Sequence, residues 1–149
     1  MKVLEGAMLL LLTVLAATCG GPRQDEAAVA VDTAAQAAAM LTPELFDSIS
    51  WPSDSAAIGR GAVVWTYSCR KCHGTDGSGN GGFVQAGDTV RPPSLLEVDW
   101  RFANDREGMR RQIFTGTDEG MPHWGPAGLK PRDIDAVTVY VSRILRPQW

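Results

Sequence analysis

Two cysteines and a histidine stand close enough in the stretch "CRKCH" to act on one group: Cys69, Cys72 and His73 spell C-x-x-C-H. Two thiols at this spacing can each add to one vinyl group of a single haem. The residue that follows can then present its imidazole to the iron from the same turn. The spacing therefore predicts one covalently bound haem c, held by Cys69 and Cys72, with His73 as an axial ligand.

Three other kinds of cysteine site explain this stretch less well. A structural zinc site needs four ligands, and besides the two cysteines the domain offers only His73, next to Cys72, and His123. A thioredoxin-type redox pair should follow a strand, whereas a helical pattern precedes Cys69. A structural disulfide suits an exported protein but gives His73 no role. We therefore favour haem attachment.

A haem iron held by His73 needs a second axial ligand or an open face, and the remaining candidates are Met109, Met121 and His123. Met109 lies in a charged amphipathic stretch, where a packing role is the expected one. Met121 lies in "EGMPHW", a loop bounded by glycine and proline whose backbone can aim the side chain. A thioether suits iron and raises its potential relative to two histidines. Met121 is the predicted ligand, with His123 as the alternative.

A second pattern follows "CRKCH" (residues 69–73), which is called the attachment stretch from here on. "GSGNGG" over residues 77–82 fits the G-x-G-x-x-G pattern of dinucleotide-binding proteins. That pattern is meaningful only between a strand and a helix. Here it follows the expected end of a helix, and no βαβ unit surrounds it. We interpret it as a loop that leaves the attachment site.

Helical periodicity dominates the rest of the domain. Cap candidates at residues 53–55 precede apolar positions at helical spacing up to Cys69. A second helix is predicted around residues 105–114, and Pro131 opens a last one with one apolar face. Residues 74–93 carry loop signals, and no set of alternating strands is evident. The predicted fold class is all-α.

Charge divides the chain into an acidic segment and a near-neutral domain. Residues 56–149 carry 12 basic and 10 acidic side chains, without a dense Lys/Arg stripe, so nucleic acid is not an expected partner. Residues 19–55 carry one basic and six acidic side chains and are rich in alanine. We predict a solvated tether over residues 19–54 and a folded domain over residues 55–149.

The first 18 residues are typical of an export signal, with Lys2 before the apolar run "AMLLLLTVLAAT". "VLAATCGG" resembles the lipobox of bacterial lipoproteins, which implies that Cys19 becomes the lipidated first residue. Plain cleavage and a retained anchor are the alternatives. All three predict a domain on the periplasmic side. Lipidation of Cys19, the favoured outcome, predicts a domain that is anchored to the membrane.

Residues 55–146 resemble the class I monohaem c-type cytochromes of bacteria. Gly61 and Trp65 stand before "CRKCHG" as in that family's first helix, and "LKPRDIDAVTVYVSRI" resembles its closing helix, with Val137 and Tyr140 as contact partners. "GMPHW" resembles its methionine loop. The resemblance implies a cytochrome c fold, with three to four helices around one haem and with crossing N- and C-terminal helices.

The segment "RPPSL" resembles the proline segment of the same family. There a proline carbonyl accepts a hydrogen bond from Nδ1 of the iron-binding histidine, which fixes the ring. The resemblance therefore implies this role for Pro93, or else for Pro92, beside His73.

The function that the resemblance implies is one-electron transfer, not enzymatic catalysis, and it involves no small-molecule substrate. The expected protein is a shuttle between redox proteins outside the cytoplasmic membrane. One alternative is a fixed subunit of a larger respiratory or photosynthetic membrane complex. Another is a haem enzyme or gas sensor in which Met121 is displaced from the iron.

Overall fold

The attachment stretch lies at the end of one continuous helical run. The structure, a computed structural model, describes residues 32–85 and 87–147, and those residues form one compact unit. The run comprises helix α2 (Asp54–Val64), a π-helical turn (Trp65–Cys69) and the short helix α3 (Arg70–His73). Single π-helical turns recur at functional sites. The Oγ of Ser53 caps α2 by accepting a hydrogen bond from the Ala56 amide at 3.2 Å, as the cap signal predicted.

The last helix, α5 (Pro131–Tyr140), continues into a second π-helical turn (Val141–Leu145) and packs against α2. The two backbones approach closely at Gly61, where a Cβ atom would lie only 2.6 Å from Cβ of Tyr140. The rings of Trp65 and Tyr140 lie 6.1 Å apart, centroid to centroid. The expected contact of Gly61 and Trp65 with the last helix is therefore present.

Helix α4 (Arg106–Thr115) lies where the second helix was predicted. Asp105 caps it by accepting a hydrogen bond from the Gly108 amide at 2.7 Å. The core that these helices enclose is apolar and includes Phe46, Val64, Trp65, Leu95, Met109, Ile113, Phe114, Ile134, Val137 and Val141. The prediction of a helical fold is confirmed, with five helices in the part of the chain that is described.

One difference from the prediction is a short antiparallel ribbon within residues 74–93. Strand β1 (Phe83–Gln85) pairs with strand β2 (Asp88–Val90), with Phe83 opposite Val90. Strands of three residues are too short to show a clear alternation of apolar and polar side chains, so the sequence pattern did not reveal them.

A second difference concerns the segment predicted as a tether. Helix α1 (Thr33–Met40) has Ala37 fully buried, and Phe46, 3% exposed, meets the ring of Phe114 edge-on at 6.4 Å. The indole Nε1 of Trp51 donates to Oδ2 of Asp135 at 2.7 Å. Residues 32–53 thus belong to the folded unit, whereas the domain was predicted to begin at residue 55.

The predicted signal peptide, Cys19 and residues 20–31 of the tether lie outside the described residues. Among the helices that are described, none combines the length and the apolar character needed to cross a bilayer.

Candidate functional site

A cavity of about 580 Å³ opens beside the attachment stretch. Cofactor sites are commonly concave, mostly apolar and between about 300 and 1,000 Å³ in volume. Its walls come from the π-helical turn before α3, from α3, α4 and α5, from the proline segment and the ribbon, and from the loop after α4. Most of the lining side chains are apolar, among them Trp65, Phe83, Leu95, Phe102, Ile113, Val137 and Val141.

The two cysteines of the attachment stretch both line this cavity. Cys69 and Cys72 are half-buried, and no disulfide joins them. Loss of hydration, with a smaller contribution from Cys72, raises the pKa of the Cys69 thiol to about 12. Cys69 is therefore held as a neutral thiol at the apolar wall, within reach of a group that fills the cavity.

His73 lines the same cavity, and the ring of Trp65 lies 5.9 Å from its own, centroid to centroid. Burial lowers the pKa of His73, which favours the neutral imidazole that binds metals. Its Nδ1 is buried and makes no hydrogen bond to another described residue. Pro92 and Pro93 also line the cavity, but the expected bond from Nδ1 to a proline carbonyl is not formed in this structure.

The glycine-rich loop turns tightly around the end of α3. The Gly79 amide donates to the His73 carbonyl at 2.9 Å, and the Gly82 amide donates to the Lys71 carbonyl at 3.1 Å. A Cβ atom on Gly81 would lie 2.6 Å from the Cys72 carbonyl oxygen, so the loop depends on glycine there. A helix precedes this loop and a strand follows it, the reverse of the dinucleotide-binding arrangement.

Met121 lies at the cavity in a loop that closes on Thr117. The Thr117 amide donates to the Met121 carbonyl at 3.0 Å, and the Met121 amide donates to Oγ1 of Thr117 at 3.3 Å. The loop backbone is therefore held from both sides of Met121, as expected for a residue that a fixed loop must aim.

The other two ligand candidates differ from each other. Met109 is 4% exposed and belongs to the core as well as to the cavity wall, so two methionines line this space. Met109 stands four residues before Ile113 in the sequence, and this spacing places both side chains on the apolar face of α4. Nδ1 of His123 contacts the Thr115 carbonyl oxygen, and His123 is not among the cavity-lining residues.

A few polar side chains reach the cavity, and Gln112 on α4 is one that no sequence pattern singled out. Within the described ranges, no cluster of three or more His, Cys, Asp or Glu side chains could hold a metal ion. The chemistry of the cavity is instead two thiols, a neutral imidazole and thioethers within an apolar wall. This set fits a haem c that is attached through thioethers and ligated by nitrogen and sulfur.

Comparison with known proteins places the chain among c-type cytochromes. The family profile for cytochrome c oxidase, cbb3-type, subunit III matches residues 56–141. The chain is 33% identical, over 93 residues, to the cbb3-type cytochrome c oxidase subunit FixP of Azorhizobium caulinodans, covering 62% of this chain and 29% of that protein. It is 32% identical, over 88 residues, to the subunit CcoP of Cereibacter sphaeroides, covering 59% of this chain and 28% of that one.

The chain thus spans less than a third of the length of these relatives. A 34% identity over 95 residues to the subunit CcoP of Rhodobacter capsulatus covers a similar share, 29%, of that protein. No solved structure gives a significant match to the chain. The matched residues include most of α2, the attachment stretch, the cavity walls and α5.

Proposed function

The chain belongs to the family of cytochrome c oxidase, cbb3-type, subunit III, and from this premise we propose that it is the electron-transfer subunit of a membrane complex. The observation that carries the proposal is the meeting of Cys69, Cys72, His73 and Met121 at one apolar cavity. The relatives are named as subunits of an oxidase. That supports a fixed subunit better than the free shuttle that was first expected.

A single bound haem c would supply the one-electron couple between ferric and ferrous iron. Cys69 and Cys72 would hold it through two thioethers, while His73 and Met121 would each bind the iron on one face. In the haem-bound protein, the Pro93 carbonyl would accept a hydrogen bond from Nδ1 of His73, an atom that is buried and makes no hydrogen bond to another described residue. Helices α2 and α5 would cross behind the attachment stretch. With His73 and Met121 both binding the iron, no position would be left for a substrate, and the protein would carry electrons without catalysing a reaction.

The residues around the iron set the direction in which its potential shifts. An apolar wall disfavours the additional charge of the oxidised form, and ligation by the Met121 thioether favours the reduced form. Both effects raise the potential. Electrons would enter and leave near Cys69, Cys72 and the Met121 loop, where contacts between redox partners are commonly small.

The periplasmic side is the proposed location, with a lipid on Cys19 as the membrane anchor. The described part of the chain begins at residue 32, and residues 32–53 of the segment predicted as a tether belong to the folded unit.

Haem attachment is tested by comparing the exported wild-type protein with the double variant Cys69→Ala/Cys72→Ala. After extraction with acid and acetone, we expect haem to stay on the wild-type chain and to be removed completely from the variant. Ser68→Ala, at a neighbouring cavity-lining position, is the matched control and should retain its haem. A wild-type chain without covalent haem would refute the proposal.

The role as a subunit is tested by solubilising membranes in a mild detergent. The chain should co-purify in a fixed ratio with a large haem-containing oxidase, and a chain found only free would favour the shuttle instead. Carbon monoxide distinguishes the enzyme or gas-sensor alternative. The reduced native protein should not bind it, because Met121 would hold the position on the iron that carbon monoxide needs.

A further inference from the structure

The side-chain amide of Gln112 joins Arg101, a cavity-lining residue, to Gly116 at the end of α4. Its Oε1 accepts a hydrogen bond from the guanidinium of Arg101, and its Nε2 donates to the Gly116 carbonyl oxygen at 2.8 Å. A guanidinium only donates and a carbonyl only accepts. The two partners therefore determine which end of the amide faces which group.

Gly116 is the residue at which the chain leaves α4, and Gln112 binds it twice. Besides the side-chain contact, the Gly116 amide donates to the Gln112 carbonyl oxygen at 2.8 Å. Gly116 has a φ of +69°, and a Cβ atom there would lie 2.7 Å from the carbonyl carbon of Pro122. The turn that begins the Met121 loop is thus tight, and Gln112 holds both of its polar backbone atoms.

Thr117, the residue after this turn, makes two hydrogen bonds with Met121. Its amide donates to the Met121 carbonyl oxygen, and its hydroxyl oxygen accepts from the Met121 amide. The Gly120 amide donates to the Thr117 carbonyl at 3.2 Å and closes the loop. A continuous series of contacts therefore runs from Arg101 through Gln112, Gly116 and Thr117 to Met121.

We propose that Gln112 is a positioning residue for Met121, and that Arg101 orients its amide. The inference rests on the proposed function, in which the Met121 thioether ligates the iron. Without the Nε2 donor, the Gly116 carbonyl loses its side-chain partner and the start of the loop is held less firmly. Met121 then leaves the iron more readily. The loss of one such hydrogen bond changes an equilibrium by about 3- to 10-fold.

The test uses the holoprotein with Gln112→Leu and Gln112→Glu. Imidazole is titrated against the ferric protein while the absorption band of methionine–iron ligation is followed. In both variants the affinity for imidazole should rise about 3- to 10-fold, since neither side chain donates to Gly116. Glutamate keeps an oxygen that can accept from Arg101, whereas leucine does not, and both variants lack the Nε2 donor. Equal effects in the two variants therefore assign the change in imidazole affinity to the lost Nε2 donor.

Amide hydrogen exchange gives a readout that does not depend on the iron. The amides of Thr117 and Met121 should exchange faster in both variants, while those of α4 from Met109 to Phe114 keep wild-type rates. Arg111→Gln is the matched control, because Arg111 pairs with Glu107 at the exposed side of α4 at 3.1 Å. It should keep the wild-type imidazole affinity and exchange rates.

Two results would overturn the positioning role. One is wild-type imidazole affinity and wild-type exchange of the Thr117 and Met121 amides in both Gln112 variants. The other is faster exchange throughout α4, which would make Gln112 a general stabiliser of the helix. A different failure, in which Met121→Ala keeps the methionine–iron band, would reject the assignment of Met121 in the proposed function instead.

Discussion

The attachment stretch and the methionine loop contribute to the same cavity, but they are held there in different ways. Cys69, Cys72 and His73 lie within five residues of one continuous helical run, and α5 packs directly against that run. Met121 lies 48 residues after His73, in a loop without helix or strand. Hydrogen bonds with Thr117, one donated by each residue, hold its backbone in place of a helix.

The helix contacts that support the attachment stretch and the methionine loop also differ, since the first are steric and the second are polar. Behind the attachment stretch, α2 meets α5 in a close steric contact at Gly61. Behind the methionine loop, α4 is joined to α5 through Asp135, which is 2% exposed and pairs with Arg106 at 2.7 Å and with Arg110 at 3.0 Å. The proposed covalent attachment thus depends on local, apolar structure. The proposed second ligand, Met121, depends on polar contacts between distant segments, which substitution disturbs more easily.

The largest effect should come from replacing the second ligand itself. Met121→Ala should abolish the methionine–iron band and lower the midpoint potential on the order of tenths of a volt, within the ~0.8 V that axial ligands span. Met109→Leu keeps a similar volume in the core and should retain both the band and the potential. The measurements are optical spectroscopy and redox titration. The reverse result would make Met109 the ligand.

Asp135→Asn should weaken the support of the methionine loop. The variant removes the charge that faces two arginines, Arg106 and Arg110, which are 45% and 18% exposed, so solvent partly compensates them. We expect the free energy of unfolding to fall by about 2–3 kcal/mol, below the full cost of breaking a buried pair. Denaturant unfolding of the holoprotein measures it.

Trp51→Phe is the matched control for Asp135→Asn, because it removes only the indole hydrogen bond to the same carboxylate. It should cost about 0.5–1.5 kcal/mol. Equal losses in the two variants would mean that the N-terminal segment, and not the pairing of α4 with α5, accounts for the contribution of Asp135.

Gly61→Ala should damage the support of the attachment stretch. The new methyl group would meet the backbone of Ala136 and Cβ of Tyr140, and overpacking of this kind costs about 1–3 kcal/mol. Gly59→Ala, two residues earlier in α2, has no atom within 4 Å of its new Cβ and should stabilise the helix by about 0.5–1 kcal/mol. If both variants are stabilised, the close contact of α2 with α5 does not constrain residue 61.

The smallest effect concerns pH and the surface pair that also joins α2 to α5. Nε of Arg60 lies 2.7 Å from Oδ1 of Asp133, and its hydrogen bonds hold the pKa of Asp133 below the ordinary 3.8. The pair therefore contributes stability above that ordinary value, and the contribution is lost as the pH falls through the lowered pKa. As the pH falls, the free energy of unfolding should therefore decrease slightly less in Asp133→Asn than in the wild type. Acid unfolding measures this, and identical pH dependences in the two proteins would contradict it.

Local patterns predicted the helices because their determinants are local. Ser53, Asp105 and Pro131 begin three of the helices, and each stands beside the apolar period that it introduces. The segment before Ser53 was predicted as a tether from its composition, which carries no information about distant partners. Phe46 and Trp51 find those partners only on α4 and α5, at Phe114 and Asp135.

The assignments of Cys69, Cys72, His73, Met121 and Pro93 to haem binding remain predictions from the sequence. The structure adds that all five residues line one cavity, and that Met109 and Gln112 do so as well. Pro93 is placed there without the expected hydrogen bond to His73. The lipidation of Cys19 stays a prediction, outside the described residues.

The sequence by itself predicted the chemistry of attachment, because two thiols and an imidazole need only the spacing of one helical turn to meet a single haem. It also determined the helices, whose caps and periods lie within a few residues of each other. Only the tertiary structure decided that two thioethers share the cavity, that residues 32–53 join the fold and that Gln112 holds the start of the Met121 loop. These contacts join residues that are distant in the chain or separated by a turn, and packing brings them together, not periodicity.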